Sequence, residues 1–246
     1  MKTPASEDLF VLDETSPELS KDAKEHFHSL TAKLLYLSKR TRPDILVAIS
    51  FLTSRVLVAT EQDGIKLTRV LRYLYGTQDL GVTLEADSQV YKLYGFIDAS
   101  YGVHADAKSH TGAVVTMGKG PIIAKSVKQK INTKSSTEAE LVGLSDGLSL
   151  VIWARNFLES QGYKMPSATV FQDNMSTIAM LKNGRPTSDR TRHVNIRFFF
   201  ACDKEASGEI NIEYKPTKEM LADILTKPLQ GELFVQLRNE LLNCTA

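Results

Sequence analysis

The segment YGFIDAS, Tyr94–Ser100, decides the fold. A short apolar run that ends on Asp98 is the pattern of a buried strand delivering one carboxylate at its end. With the residues before it, Val90–Ile97 reads as a strand. Working outward, Gly112–Met117 and Pro121–Ser126 read as two more, with Gly118 and Gly120 as the hairpin turn between them. A long helical pattern follows from about Thr137 to Gly162. Leu141, Leu144, Leu148, Val151, Ile152 and Leu158 form its apolar stripe, and Trp153 also reads as core. Next come a strand at Thr169–Gln172, a helix at Asn174–Lys182 and a polar loop at Arg185–Arg192. A helix at Val194–Glu205, a strand at Ile210–Tyr214, a short helix around Lys218–Thr226 and a last helix at Glu232–Leu242 complete the chain. Three strands, a helix, a strand, helices and a strand make an α/β order.

Upstream, residues 1–22 are rich in Asp, Glu, Ser and Pro and read as an irregular lead-in. Ala23–Ser38, Pro43–Thr60 and Gly64–Gly76 carry apolar residues at helical spacing, and Val82–Leu84 reads as a strand. This is a small helical unit whose apolar stripes read as core, or as a surface for a further segment.

Composition sets wide bounds. The chain has 246 residues, 42% hydrophobic and 24% charged, ordinary values for a globular protein of one or two domains. No apolar run is expected to approach the roughly 20 residues that span a bilayer, and MKTPASEDLF lacks a signal-peptide core. Cys202 and Cys244 alone make neither a disulfide framework nor a zinc site. Net charge is +1, unevenly spread: residues 1–90 hold 11 basic and 13 acidic residues, the rest 19 and 16. Between Asp106 and Glu138 there is no acid, while Lys108, Lys119, Lys125, Lys128, Lys130 and Lys134 all fall there. Such a strip is either a solvated face or a surface that attracts phosphates.

Four acids carry the chemistry: Asp98, Glu140, Asp173 and Asp223. Each has a plain alternative. Asp98 could cap a turn, and Asp173-Asn174 could cap a helix. Asp223 could sit on a solvated face, as Asp106 is expected to. Ser135-x-x-Glu138 and Thr137-x-x-Glu140 are both capping boxes. Glu138 is assigned to the cap and Glu140 to the site, because Leu141 and Leu144 turn that face of the helix toward the sheet. Four carboxylates converging from strand ends and facing helices repel one another unless cations lie between them. Hard divalent cations such as Mg²⁺ suit an all-oxygen site, and together these describe a two-metal phosphodiesterase.

The surrounding motifs carry a resemblance. SSTEAELVGL, QDNMSTI, TRHVNIRFFF and EMLADILTKPL resemble, in order and spacing, the ribonuclease H domain of copia-type retrotransposon Pol polyproteins. The resemblance covers about Tyr91 to Leu229. FHSLTAKLLYLSKRTRPDILVAISFLTSRV and LTRVLRYLYGTQDLGVTL, within residues 27–84, resemble the C-terminal end of the same polyproteins' reverse transcriptase. The resemblance implies a ribonuclease H-like fold, a mixed five-stranded sheet flanked by helices, preceded by a small helical unit. It divides the chain into residues 1–90 (thumb- or connection-like), 91–230 (ribonuclease H) and 231–246 (a helical tail).

The implied activity is cleavage of the RNA strand of RNA–DNA hybrids, with Asp98, Glu140, Asp173 and Asp223 holding two Mg²⁺ ions, or Mn²⁺ in their place. Lys125, Lys128, Lys130, Lys134, Asn174 and Ser176 are the implied nucleic-acid contacts. Implied partners are the hybrid and the upstream reverse-transcriptase palm and fingers, with no membrane. The implied location is the cytoplasm, in a virus-like particle, or the nucleus. The polymerase's Tyr-x-Asp-Asp is not found, so a nuclease without its palm is expected. Two departures stand out: Met175 replaces the family's usual Gln, and no His occurs in Tyr214–Leu221. His193 matches a signature residue whose role is packing or function. The alternatives are a catalytically silent module that binds nucleic acid or polymerase, and an integrase-type nuclease, which usually uses three acids.

Overall fold

Tyr94–Ser100 forms the central strand β1, antiparallel to β2 (His110–Thr116), which is antiparallel to the edge strand β3 (Pro121–Lys128). On its other side β1 runs parallel to β4 (Ala168–Gln172), and β4 parallel to β5 (Ile210–Tyr214). The computed structural model describes residues 1–86, 91–183 and 192–244. The sheet order is β3-β2-β1-β4-β5, the mixed five-stranded sheet of the ribonuclease H-like fold. β1 begins later than expected and runs two residues beyond Asp98, which therefore lies inside the strand, opposite Gly112.

Helices cover both faces. α4, Ser136–Ser160, presses on β1 and β2 from one side. Gly147 lets it do so: a Cβ there would lie 2.6 Å from Ile97. Ile97, Ala113, Val115, Leu141, Leu144, Leu148 and Val151 form the core between them. α5 (Met175–Asn183) and α6 (Arg192–Ala206) complete this side. α4 is long and apolar enough to cross a bilayer, against expectation; its Leu and Val stripe instead lies in this core. Trp153 is not core. It is 61% exposed and stacked on Phe157, because Leu148 and Val151 already turn the opposite side of the helix inward.

The N-terminal unit covers the other face. α1 (Lys21–Arg40), α2 (Leu46–Thr53) and α3 (Glu61–Tyr75) share a core with Phe96 and Val114 of the sheet, Leu221–Leu225, and α7 (Gly231–Leu242). The expected helix over Pro43–Thr60 is shorter, a 3₁₀ turn at Pro43–Ile45 followed by α2. The expected strand at Val82–Leu84 is displaced to Glu85–Ala86, paired with Gly118–Lys119. The lead-in is irregular but packed: Ala5, Leu9 and Phe10 are buried. Lys66 donates to the carbonyls of Leu9 at 3.0 Å and Val11 at 2.6 Å, which fixes this segment. α7 packs Phe234 edge-on against Tyr73, with ring centroids 5.9 Å apart. The short helix expected near Lys218–Thr226 is two 3₁₀ turns, Thr217–Glu219 and Leu221–Leu225. Most of the loop at Arg185–Arg192 lies outside the described residues, as does the side chain of His193.

Candidate active site

A single cross-strand row builds the site. Asp98 on β1 pairs with Gly112 on β2, and Gly112 with Ser126 on β3. The gap above Gly112 admits the Leu221–Leu225 turn: a Cβ there would lie 2.7 Å from the carbonyl oxygen of Ala222. Thr226 ties the turn to one side of the row by donating to Asp98 Oδ2. Ser126 ties the other side, donating to the carbonyl of Leu225 at 2.7 Å. The turn then sets Asp223 beside Asp98.

β4 ends at Gln172, and the next residue brings in Asp173. Oxygen atoms of Asp98, Asp173 and Asp223 all lie within 4.8 Å of one another. Thr217 donates to Asp173 Oδ2 at 2.7 Å. Glu140 enters from the first turns of α4 and is buried. Gln172 connects it to the group: its amide donates to Glu140 Oε2 at 3.3 Å, and its carbonyl accepts the backbone N–H groups of Asp173 and Asn174.

Electrostatics mark the cluster as over-charged. Burial first, then the charges of Asp98 and Asp173, push the Glu140 carboxyl up to about 9. Burial and Asp98 push Asp223 up to about 7. Among the described residues, Lys227 is the cation paired here, 2.8 Å from Asp223 Oδ1 and 3.5 Å from Asp98 Oδ2. Burial would depress this ammonium, but Asp98 and Asp223 outweigh burial and raise its pKa.

The other expected residues separate. Glu138 is the cap: its carboxylate accepts from Lys134 N at 2.8 Å, and its own N–H donates to Ser135 Oγ at 3.2 Å. Asn174 caps α5 by accepting from Thr177 N at 3.0 Å, while Met175 and Ser176 are exposed. The lysine strip is partly neutralised. Lys128 and Lys108 pair with Asp106 at 2.8 and 3.6 Å, and Lys119 pairs with Glu85 at 3.1 Å. Lys125, Lys130 and Lys134 make no ion pair among the described residues. Sequence reasoning misses Lys227, Thr226, Thr217 and Gln172. The i, i+4 spacing of Asp223 and Lys227 is a signal that could have found one of them.

The chain is 32% identical over 210 residues to the Retrovirus-related Pol polyprotein from transposon RE1 of Arabidopsis thaliana, a match over 85% of this chain and 14% of that one. It is 31% identical over 228 residues to the polyprotein from transposon RE2 of the same plant, over 89% and 16%. Its homologues are copia-type Pol polyproteins. The chain thus spans about one-seventh of the length of these relatives. No protein-family model matches it. Among solved structures, LC11-RNase H1 in complex with RNA/DNA hybrid matches 55% of this chain and 93% of that one, at 14% identity and a TM-score of 0.42. From β1 onward the chain has a ribonuclease H-like fold, and Asp98, Asp173 and Asp223 converge in it.

Proposed function

We propose that the chain is a metal-dependent endonuclease that cuts the RNA strand of RNA–DNA hybrids during reverse transcription. The convergence of Asp98, Asp173 and Asp223 within 4.8 Å, with Glu140 buried beside them, carries this reading. The donor set fits hard cations: all ligands are carboxylate oxygens, and two of them have pKa values raised by burial and by their neighbours' charge. Asp98, Glu140, Asp173 and Asp223 would hold two Mg²⁺ ions, or Mn²⁺. Bound there, the metals would supply an activated water and neutralise charge on the departing 3′-oxygen.

The residues around the acids prepare that site. Thr226 and Lys227 orient Asp98, Thr217 orients Asp173, and Gln172 links Glu140 to the start of α5. Lys130 and Lys134 stand near the opening of α4, free to meet phosphates. Discrimination of RNA would come from 2′-hydroxyl contacts and hybrid shape. An upstream palm and fingers of the same polyprotein would hold the hybrid for it.

A second reading, a silent module that grips hybrid or polymerase, draws on Lys227, whose ammonium already balances two carboxylates. The experiment that separates them is cleavage of a hybrid labelled on the RNA strand, in Mg²⁺ and in EDTA. The enzyme gives Mg²⁺-dependent products with 5′-phosphate ends. Binding without cleavage at any Mg²⁺ or Mn²⁺ concentration leaves the silent module.

A further inference from the structure

β3 is an edge strand, and its flank is only partly covered. Ser50 donates to the carbonyl of Ser126 at 2.8 Å, closing one end. Toward the start of β3, α1 stands off the strand and leaves an open groove of about 640 Å³. Leu35, Tyr36, Lys39 and Arg40 of α1 line one wall, and Ile122 and Lys125 the other. No acid lines it. Lys39, Arg40 and Lys125 make no ion pair with any carboxylate among the described residues. Tyr36 is 69% exposed, and the Arg40 guanidinium lies 5.6 Å from its ring centroid.

We propose that this groove binds the backbone of the nucleic-acid duplex beyond the point of cutting, with Lys39, Arg40 and Lys125 on phosphates. Charge complementarity argues for this occupant: three cations, unpaired among the described residues, form a surface suited to a polyanion, and the exposed Tyr36–Arg40 pair suits sugar and base faces. The distance also fits. Lys125 lies in the row Ile97–Ala113–Lys125, two strands and so about 10 Å from the strand carrying Asp98. Leu150, on the far rim, is ten residues along α4 from Glu140, about 15 Å. At about 3.4 Å per phosphate, that separation is roughly three to five nucleotides along one strand. The N-terminal helical unit and the sheet would then act as one platform, with each contributing part of the grip.

The inference rests on the proposed substrate, and the test separates the two. Hybrid binding is measured by fluorescence anisotropy across salt concentrations in the Asp98→Asn background, and cleavage in the otherwise native protein. Replacing Lys39, Arg40 and Lys125 together by Ala should weaken binding of a hybrid of about 20 base pairs by roughly one to two orders of magnitude near 0.1 M salt. The log–log salt slope should fall by roughly 0.9 for each phosphate that is no longer neutralised. In cleavage, KM should rise while kcat at saturating hybrid stays within about twofold. Arg40→Lys should retain its share of the slope. A control triple of Lys2, Lys21 and Lys164 to Ala should leave the slope near the native value. Unchanged affinity and slope in the groove triple overturn the inference and leave the groove to a protein partner. Native protein that binds hybrid but never cuts it overturns the proposed activity alone.

Discussion

Two buried polar clusters flank the turn that carries Asp223, and they are built on opposite principles. On one side, His104 Nε2 meets His110 Nδ1 at 2.9 Å, His110 Nε2 meets Ser126 Oγ at 2.7 Å, and Ser126 donates to the Leu225 carbonyl. Because Ser126 gives its proton to the carbonyl, it accepts from His110 Nε2–H, so His110 Nδ1 accepts from His104. Each of these protons has one acceptor, and the chain ends on the Leu225 carbonyl. Burial is the first cause holding both imidazoles neutral, depressing His104 to about 4 and His110 to about 3. On the other side, the carboxylates outnumber Lys227, the cation paired with them among the described residues. A satisfied network fixes a structure, whereas an excess of like charge calls for a ligand.

The largest expected effect is on activity. Asp98→Asn and Glu140→Gln should each lower hybrid cleavage by at least on the order of 100-fold, the scale of losing one electrostatic stabiliser, with the far-ultraviolet spectrum unchanged. Cleavage at the native rate by Asp98→Asn would mean that the charged cluster is not the reactive one.

The two clusters should also respond to pH with opposite sign. The histidines bind fewer protons folded than unfolded, so their contribution is complete above about pH 6.5 and declines as pH falls toward 4 and 3. Glu140 and Asp223 bind more protons folded. Their contribution is complete below about pH 4 and is lost as pH rises through about 7 and about 9. Each group changes stability by about 1.4 kcal/mol per pH unit inside its window. For these four groups, stability in EDTA should be nearly flat from about pH 4.5 to 6.5 and fall on the alkaline side. Mg²⁺ should restore the alkaline limb and do little near pH 5. Urea midpoints at pH 5, 7 and 9 would show it, and an alkaline limb indifferent to Mg²⁺ would break the comparison.

Lys227→Met should sharpen the contrast. In EDTA at pH 8 it should cost about 1–3 kcal/mol, reduced from the value for a buried pair because a third of the side chain is exposed. Calorimetric Mg²⁺ affinity should change in the same variant, since the tethered cation and the ions answer the same charge. Ser126→Ala should cost roughly 1–3 kcal/mol by orphaning His110 and the Leu225 carbonyl. Turnover of the folded protein should stay within a few-fold, and a collapse of turnover without loss of stability would make the closed cluster part of the chemistry. The smallest effect belongs to Glu138→Gln, a loss of about 0.5–2 kcal/mol in the α4 cap with cleavage retained.

The sequence carried the order of strands and helices from β1 onward, because alternation and 3.6-residue spacing survive in buried elements. It also carried the four acids, because each stands in its own motif. It misplaced Trp153, since an apolar residue is read as inward unless the neighbouring stripe is known to fill the core first. It identified residues 1–22 as irregular but not as packed, since composition does not reveal that Lys66 will hold the backbone of Leu9 and Val11. The row Asp98–Gly112–Ser126 was out of reach, because strand register is a property of pairing and not of any one segment. Lys227 was visible as a letter, but its burial against two carboxylates depends on the depth of the Gly112 gap.

The core shared by the N-terminal helices, the sheet and α7 has a consequence for synthesis. The hydroxyl that holds Asp98 belongs to Thr226, 128 residues later in the chain. Phe96 and Val114 are covered only in part until Leu221, Ile224 and Leu225 leave the ribosome, and Tyr73 waits for Phe234. Thr3 and Ala5 bond to Gln230, 227 and 225 residues later in the chain. Closure is therefore deferred until residues 221–234 are made, and a ribosome stalled before residue 221 would hold a chain with this sheet face incompletely covered and Asp98 without Thr226 and Lys227.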